Sequence, residues 1–513
     1  MSTVDTIKLF KSIVDNPFVR WTLRRISGYC SACNENRLEV ALQLYIGTRK
    51  DACLKCRAAK FIVERVVKSG ASAFGASEEQ IKTKFKDPYW RRGLVNVIRG
   101  ISYFGVHKPF IPGAPFQIVW NITRLCNLRC KHCYENAGKQ ASDELTTDEA
   151  MLGIDRLSKA GVVSIAFSGG EPTIRPDILK LIKHASDKGI YVAMATNAIV
   201  FASRDRVREF KDAGLNFVQI SLDGLNPVTH DEFRGVPGAF EKTVQGIKNC
   251  VAEGLFTEVA CVGTRFNYKE IPALVDFCDE LGVDWFMLYN FIPTGRGRDI
   301  VAADLTPHER EQLLRTLWLK RKTTKKVEIL STAPQYARVA KEVEAELAKA
   351  FEGSNGVGHL ECDGVVIPTH FYNPKLQGKL TELADFIGGC GAGRFYVSIE
   401  PNGDIYPCVF FPHVDEVRVG NLLRDDFEEL WVKSELLRKT REKELIGGEC
   451  KDCEYLYICG GCRARAYNYF GDILAPDPGC KLNMAYWESV AGTVKVKEVS
   501  ISHNNNLLKA REK

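Results

Sequence analysis

Three cysteines lie within one eight-residue stretch, CNLRCKHC, at Cys126, Cys130 and Cys133. The stretch directly follows FQIVWNI, a short apolar run that predicts a β-strand. Three thiolates in one loop can bind three irons of a 4Fe-4S cluster and leave the fourth iron open. A closed structural zinc site would instead need a fourth ligand. The spacing therefore favours a cluster with one open coordination position.

Polar residues follow the next three predicted strands. The motif SGGEP (168–172) ends the second strand, where its glycines would let the backbone approach a ligand closely and Glu171 adds a carboxylate. Asn197 follows the third strand, and Ser221 and Asp223 follow the fourth. Because the C-terminal ends of parallel strands meet at one edge of a sheet, these residues are expected to share a site with the three cysteines.

Two further pairs of cysteines, Cys30-x2-Cys33 and Cys53-x2-Cys56, are separated by nineteen residues near the N-terminus. Two such pairs are typical of a tetrahedral four-cysteine metal site. Zinc is the metal that this spacing favours, and a rubredoxin-like iron is the alternative. Either ion would stabilise a small domain whose hydrophobic core is limited.

Seven more cysteines lie in the C-terminal part of the chain, and four of them have the spacing Cys-x2-Cys-x5-Cys-x2-Cys. Iron–sulfur ligation is favoured there, with zinc binding as the alternative. The seven are Cys390, Cys408, Cys450, Cys453, Cys459, Cys462 and Cys480. Cys250, Cys261 and Cys278 lie in apolar or helical contexts and are interpreted as packing residues.

The 513 residues include 18 cysteines, 45% hydrophobic residues and 26% charged residues. This composition is ordinary for a globular protein and excludes wholesale disorder, and the length predicts two or three domains. No signal-peptide pattern is recognised and no long apolar run occurs, so the chain is expected to be cytoplasmic. In that compartment so many cysteines favour metal or cluster ligation over disulfides.

The charge is unevenly distributed. Residues 1–110 carry 20 Lys and Arg against 9 Asp and Glu, a net charge of +11, whereas the rest of the chain carries −5. A basic segment favours contact with phospholipid, nucleic acid or an acidic partner, and a solvated basic face without a partner is the alternative. Aromatic residues among the basic ones favour peripheral contact with an anionic membrane surface.

The order of predicted elements divides the chain into segments. Between residues 116 and 300, helices and strands alternate as six β/α units, which predicts a parallel sheet with helical crossovers. The other segments are a basic, mostly helical four-cysteine metal-binding domain (1–107), a proline-containing linker (108–115), a helical bridge (301–380), a cluster-binding module (381–485) and a polar tail (486–513).

With the three-cysteine loop and the Gly-Gly-Glu-Pro motif together, residues 116–300 resemble the radical S-adenosylmethionine (SAM) superfamily. The resemblance implies an α/β fold, a partial (β/α)6 barrel, in which the catalytic 4Fe-4S cluster binds SAM through its open iron. Reductive cleavage of SAM would give a 5′-deoxyadenosyl radical that abstracts a hydrogen atom from the substrate. The resemblance also implies a reductant such as a ferredoxin or flavodoxin.

The same resemblance assigns a role to each candidate residue. Cys126, Cys130 and Cys133 would bind the catalytic cluster. The expected SAM contacts are Tyr134 with the adenine, Gly169, Gly170 and Glu171 with the methionine amino group, Asn197, Ser221 and Asp223 with the ribose and carboxylate, and Arg234 with the carboxylate. The structural alternatives are ordinary packing of Tyr134, a turn at Asp223 and a surface salt bridge of Arg234.

The seven C-terminal cysteines resemble those of the SPASM domain, a twin-cluster extension of many radical SAM enzymes. The resemblance implies two auxiliary 4Fe-4S clusters, with Cys450, Cys453, Cys459 and Cys480 as ligands of one and Cys390, Cys408 and Cys462 as ligands of the other. The family pattern has three residues before the fourth clustered cysteine, and here only Gly460 and Gly461 stand there. Cys362 is the candidate for the missing fourth ligand, and a cluster with an open iron is the rival interpretation.

The stretch GGCRARAYNYFGD (460–472), with HDEFRG and PTGRG, most resembles the branch that contains heme synthase and heme d1 maturation proteins. This implies hydrogen abstraction in the maturation of a tetrapyrrole or, as in related SPASM branches, of a peptide. The basic N-terminal domain supports an alternative, an archaeal-type enzyme that forms C–C bonds in membrane lipids. An Fe–S electron carrier or a nucleic-acid-binding protein is disfavoured because neither needs Gly-Gly-Glu, so no nucleic-acid partner is expected.

Overall fold

The structure, a computed structural model, describes residues 16–73, 77–352 and 388–491. Cys362, the candidate fourth ligand, lies outside the described residues, and so does most of the predicted tail. Within the described ranges, none of the helices combines the length and the apolar character needed to cross a bilayer.

The N-terminal segment is mostly helical, as predicted, and its helices are packed around a short hairpin. Asn16 and Asn36 each precede a helix and accept hydrogen bonds from its first backbone N–H groups, which fixes where the helix begins. The elements are α1 (Pro17–Ile26), β1 (Tyr29–Cys30), β2 (Glu35–Asn36), α2 (Arg37–Ile46), α3 (Leu54–Ala73), α4 (Glu78–Lys84) and α5 (Pro88–Phe104).

Ten further strands of the described chain form one sheet. They are β3 (Gln117–Thr123), β4 (Ser164–Gly169), β5 (Tyr191–Thr196), β6 (Leu215–Ser221), β7 (Phe256–Gly263), β8 (Trp285–Asn290), β9 (Glu328–Ser331), β10 (Tyr396–Ile399), β11 (Asp404–Tyr406) and β12 (Gly420–Asn421). Their order is β12-β11-β10-β3-β4-β5-β6-β7-β8-β9. Strands β3 to β9 are parallel, β10 joins β3 in parallel, and β11 and β12 are antiparallel.

Helices connect the parallel strands, and the six predicted β/α units are confirmed. Strands β3, β4, β7 and β8 are buried along almost their whole length, as expected of parallel strands that helices cover. The remaining helices are α6 (Thr147–Ala160), α7 (Ile178–Asp187), α8 (Arg204–Ala213), α9 (Pro227–Arg234), α10 (Ala239–Ala252), α11 (Ile271–Glu280), α12 (Pro307–Lys320), α13 (Gln335–Glu352), α14 (Phe427–Lys433), α15 (Glu435–Arg441), α16 (Arg463–Phe470) and α17 (Met484–Ala491).

The segment expected to be a helical bridge also contains a strand. Strand β9 lies between α12 and α13 and pairs with β8 at the edge of the sheet. It is only four residues long, too short for its apolar alternation to stand out between two helical patterns. The cysteine-rich module likewise contributes β10 to the same sheet. The barrel segment, the bridge segment and the cysteine-rich module therefore share one sheet. The boundaries of the predicted segments stay a prediction.

The basic N-terminal domain packs against the N-terminal ends of the strands, opposite the edge expected to bind ligands. Arg92 is buried in α5 and donates hydrogen bonds to the backbone oxygens of Val162 (3.1 Å) and Lys188 (3.1 Å), which precede β4 and β5. The ring of Tyr89 lies 5.3 Å from that of Tyr191, the first residue of β5. Part of the basic and aromatic character of this domain therefore serves packing.

We expect Arg92→Ala to destabilise the cluster-loaded protein by about 2–4 kcal/mol, because buried carbonyl groups lose their hydrogen-bond donor. The unfolding midpoint in denaturant measures the effect. Arg438→Ala is the control, since the exposed ion pairs of Arg438 with Glu435 and Glu442 predict a change below about 1 kcal/mol. Equal midpoints for the two variants would contradict the docking contact.

Candidate active site

A cavity of about 170 Å³ lies at the C-terminal ends of the parallel strands, where the site is expected. Its wall includes side chains from the barrel and also Val409 and Phe410 of the C-terminal module. Asp223 is absent from that wall. The predicted residues that line the cavity are Cys126, Cys130, Cys133, Tyr134, Gly169, Gly170, Glu171, Asn197, Ser221 and Arg234.

The three-cysteine loop begins directly after β3, and each of its sulfurs faces a hydrogen-bond donor. The backbone N–H of Leu128 donates to Cys126 Sγ (3.4 Å), and that of Ala137 donates to Cys133 Sγ (3.4 Å). Burial raises the pKa of the Cys126 thiol to about 12 and also raises that of Cys133. Binding of iron in place of the protons would relieve this cost, so these thiols fit a cluster.

The two glycines at the end of β4 let that strand approach the segment before Cys126. A Cβ atom on Gly169, whose φ is +118°, would lie 2.4 Å from the Thr123 carbonyl oxygen, and one on Gly170 would lie 2.2 Å from that of Leu125. The Gly170 N–H donates to Thr123 O (2.7 Å). These glycines therefore hold the cysteine loop in place, and their contact with the SAM amino group stays a prediction.

The carboxylate of Glu171 is buried and ties two loops together. It accepts hydrogen bonds from the hydroxyl of Thr196 (2.7 Å) and the backbone N–H of Asn197 (2.8 Å), both at the end of β5. Burial raises the pKa of Glu171, and these hydrogen bonds offset part of that shift. Glu171 thus positions the loop after β5 from the loop after β4.

Asn197 continues this chain of contacts back to the cysteine loop. Its Nδ2 donates a hydrogen bond to Oδ1 of Asn127 (2.7 Å), the residue that directly follows Cys126. The loops after β3, β4 and β5 therefore form one hydrogen-bonded unit around the cavity. Sequence reasoning missed Asn127, because an asparagine between two cysteines carries no signal of its own.

Asp223 lies behind the cavity wall and positions Arg234. Its fully buried carboxylate contacts Arg234 Nη2 at 2.5 Å, and Arg234 Nη1 donates to Cys130 Sγ at 3.6 Å. Burial lowers the pKa of Arg234, but the interactions with Asp223 and Cys130 together outweigh burial and leave this pKa above its usual value. Arg234 is therefore a buried cation beside a predicted cluster ligand, not a surface salt bridge, and Asp223 acts through it.

Two cavity residues that the sequence reasoning did not single out also hold the cysteine loop. Arg296 donates to the backbone oxygens of Cys130 (2.9 Å) and Ala137 (2.7 Å). His132 stacks on Phe233 with ring centroids 4.2 Å apart. The PTGRG motif that contains Arg296 was visible in the sequence, but its target was not, because 166 residues separate Arg296 from Cys130.

Tyr134 joins the barrel wall to the C-terminal module. Its hydroxyl lies 2.9 Å from Ser168 Oγ, and it donates to Asn121 Oδ1 at 3.3 Å. Its ring meets the ring of Phe410 edge-on at 5.3 Å. The ring lines the cavity, so the predicted adenine contact stays open alongside this packing role.

The N-terminal four cysteines form a compact group. All of their sulfurs lie within 4.8 Å of one another, and the Sγ atoms of Cys30 and Cys53 are 3.6 Å apart. Tetrahedral Zn–S bonds of about 2.3 Å would separate the sulfurs by about 3.8 Å, so the group fits one ion. Among the described residues, the three cysteines predicted to bind the catalytic cluster are not gathered so tightly, which fits a cluster of several irons better than a single ion.

The C-terminal cysteines lie in two places. The Tyr396 hydroxyl donates to Cys408 Sγ at 2.9 Å in an apolar cluster that also contains Cys390 and Cys462. The other four line a separate small cavity, into which Asn483 also projects, and are Cys450, Cys453, Cys459 and Cys480. This placement is compatible with the pairing that the resemblance implies, and the pairing stays a prediction.

We expect Asp223→Asn to leave the clusters in place but to lower SAM cleavage about 10- to 100-fold, because Arg234 loses the charge that orients it beside Cys130. Iron content and the formation of 5′-deoxyadenosine under dithionite measure the two effects. Asp155→Asn, on the outer helix α6, is the matched control and should leave both unchanged. Unaltered cleavage in Asp223→Asn would contradict the positioning role.

Two family models match the chain. The radical SAM superfamily matches residues 120–278, and the SPASM iron–sulfur cluster-binding domain matches residues 390–454. The first match contains the three-cysteine loop and the motif after β4. The second begins at Cys390, the first of the seven C-terminal cysteines.

Known proteins resemble the chain over most of its length. The AdoMet-dependent heme synthase of Methanosarcina barkeri is 33% identical over 369 residues, which cover 72% of this chain and 96% of that protein. The mycofactocin maturase MftC of Mycobacterium tuberculosis is 30% identical over 374 residues, which cover 72% of this chain and 83% of that protein.

A solved structure shares the fold. The crystal structure of Streptococcus suis SuiB bound to precursor peptide SuiA aligns with a TM-score of 0.58 and 18% identity, covering 87% of this chain and 95% of that chain. The predicted fold class and the predicted heme synthase branch are thereby confirmed. The chain therefore belongs to the radical SAM superfamily and carries a SPASM domain, and it is an enzyme that uses 4Fe-4S clusters and SAM to generate a 5′-deoxyadenosyl radical.

Proposed function

We propose that this enzyme modifies a tetrapyrrole in the maturation of a heme-type cofactor. The observation that carries the proposal is the 33% identity with AdoMet-dependent heme synthase across 96% of that protein. Cys126, Cys130 and Cys133 would hold the catalytic cluster, which would supply the electron for cleavage of SAM and so the radical that takes a hydrogen atom from the substrate. In this proposal a ferredoxin or flavodoxin is the source of the electron.

The cavity wall supports a flat, largely apolar substrate. Phe217, Tyr289 and Phe410 line it, and their rings exclude water and offer faces to a macrocycle. Gln117 and Asn290 also line it, and Gln117 Oε1 and Asn290 Nδ2 have no hydrogen-bond partner within the described part of the chain. Polar substituents of a tetrapyrrole could satisfy these two groups.

A buried carboxyl lies next to this wall. Gln219, which lines the cavity, donates to Glu258 Oε1 and to the Tyr289 hydroxyl oxygen (2.7 Å). Burial raises the pKa of Glu258 to about 8, so near neutral pH this carboxyl is mostly protonated. The wall next to Gln219 and Tyr289 therefore carries little negative charge near neutral pH, which favours an apolar substrate body over a cationic one there.

Peptide maturation is the second candidate. The chain is 30% identical to mycofactocin maturase across 83% of that protein. The reaction type is common to both candidates, so the substrate has to be decided by direct comparison.

We expect an iron coproporphyrin to raise 5′-deoxyadenosine formation above the substrate-free level and to emerge with an altered mass. Anaerobic reactions with SAM and dithionite, analysed by liquid chromatography and mass spectrometry, measure both. Reactions without SAM are the control. Stimulation by peptides alone would favour the second candidate, and no response to the tetrapyrrole contradicts the proposal.

The N-terminal four-cysteine group is proposed to bind zinc. Four thiolates gathered within 4.8 Å fit a single tetrahedral ion, and thiolates select zinc strongly. The ion would join the hairpin of β1 and β2 to the start of α3 and so stabilise the domain that docks under the barrel.

Exposed apolar side chains on this domain support a peripheral contact with an anionic membrane surface. Phe18 is 72% exposed and stacks on Trp21, which is 52% exposed, while Leu54 and Phe61 on α3 are 83% and 73% exposed. The net charge of +11 in residues 1–110 complements anionic headgroups. The archaeal-type lipid alternative depends on this contact.

We expect the double variant Phe18→Ser, Trp21→Ser to reduce co-sedimentation with anionic liposomes at low salt, because aromatic rings favour the headgroup interface. Added salt should weaken binding of the unaltered protein, since each nearby Lys or Arg contributes about 1 kcal/mol. Leu152→Ser, an exposed position on α6, is the control. If the unaltered protein does not sediment with the liposomes, both the membrane contact and the lipid alternative are wrong.

A further inference from the structure

A cluster of Glu135, Glu400 and His413 lies behind the cavity, outside the groups assigned so far. Their ligand atoms all lie within 4.8 Å of one another. Glu135 is two residues after Cys133, Glu400 follows β10, and His413 lies five residues after Cys408. The cluster therefore stands where the cysteine loop of the barrel meets the C-terminal module.

The separations in this cluster match those between ligands of one metal ion. His413 Nε2 is 3.1 Å from Glu400 Oε1 and 3.5 Å from Glu135 Oε1. An ion with metal–ligand bonds of about 2.1 Å places neighbouring ligand atoms about 3.0 to 3.4 Å apart, depending on whether the geometry is octahedral or tetrahedral. The imidazole is held in position by the ring of Tyr406, 5.2 Å away.

The two carboxyl groups are buried without enough partners. Glu135 is 5% exposed and Glu400 is 1% exposed, and Oε2 of each has no hydrogen-bond partner within the described residues. Asn121 is the shared donor, and its Nδ2 donates to Oε1 of Glu135 (2.5 Å) and of Glu400 (3.0 Å). A cation bound between the two buried carboxyl groups would balance the charge that both carry when ionised.

We propose that Glu135, Glu400 and His413 bind a single divalent transition-metal ion, separate from the iron–sulfur clusters and from the N-terminal four-cysteine site. Two carboxylate oxygens and one imidazole nitrogen are donors that suit Mn²⁺ or Fe²⁺, whereas thiolate sites select zinc and clusters. Asn121 would orient both carboxylates from the second coordination shell.

The ion has a positioning role. It joins the residue pair that follows Cys133 to β10 and to the loop after Cys408, so it fixes the catalytic loop relative to the auxiliary-cluster loop. Tyr134, next to Glu135, and Phe410, three residues before His413, contact each other across this joint at 5.3 Å. Loss of the ion would therefore loosen one wall of the cavity.

The test is a Mn²⁺ titration of the cluster-loaded holoenzyme. The protein is first treated with a chelator that removes mononuclear metal. Elemental analysis then counts the metal ions per chain that are left in addition to the cluster iron and the ion of the four-cysteine site. Electron paramagnetic resonance then measures free Mn²⁺ as the titration proceeds. We expect each chain to bind one Mn²⁺. If the chelator does not empty the site, we expect one resistant metal ion per chain and no binding of Mn²⁺.

Two variants and one control decide the assignment. Glu400→Gln and His413→Ala should each weaken Mn²⁺ binding by more than about tenfold, or lose the resistant ion, while cluster absorbance is retained. Glu258→Gln changes an equally buried carboxyl elsewhere in the barrel and should bind as the unaltered protein does. If Glu400→Gln loses its clusters, the partly exposed His413 alone serves as the test.

Two results would overturn the proposal. The first is the absence of both a tight Mn²⁺ and a resistant ion in the unaltered holoenzyme, which would make the cluster a carboxyl pair that shares a proton. The second is binding that His413→Ala leaves unchanged, which would place the ion elsewhere.

Discussion

The close backbone contact between the end of β4 and the segment before Cys126 is the constraint on which the site depends. Gly169 and Gly170 have no Cβ, and the Thr123 and Leu125 carbonyl oxygens occupy the space that one would fill. This contact fixes the start of the cysteine loop. The hydrogen bonds of Asn197 with Glu171 and Asn127 then position the loop after β5 relative to the cysteine loop. The Gly-Gly-Glu motif therefore positions the loops around the cavity and also lines the cavity itself.

Strand pairing and buried ion pairs attach the C-terminal module to the barrel. Strand β10 extends the sheet next to β3, the strand that leads into the cysteine loop. Between the two parts, buried Asp304 pairs with Arg310 at 2.6 Å and also with Arg465, which donates to the Phe291 oxygen at 2.7 Å. The cysteines predicted to bind the catalytic cluster and those predicted to bind the auxiliary clusters therefore lie on one rigid framework, as electron transfer between clusters would require.

Local patterns in the sequence were enough to predict the six β/α units and the four-cysteine group, because period and cysteine spacing act over short distances. The role of Asp223 was not predictable, because its partner Arg234 and the sulfur of Cys130 meet only in the folded barrel. Glu400 and Phe410 were not predicted for the same reason, because their neighbours Glu135 and Tyr134, just after the cysteine loop, are more than 260 residues away in the sequence. Strand β9 was missed because it is four residues long.

The central claim is that SAM is cleaved at a cluster held by Cys126, Cys130 and Cys133. The most direct measurement is 5′-deoxyadenosine formation under dithionite by the unaltered enzyme and by the variant with all three residues changed to alanine. The account predicts formation by the unaltered enzyme and none by the variant, which should keep its auxiliary clusters and roughly two thirds of the cluster iron. Continued formation of 5′-deoxyadenosine by that variant would contradict the account.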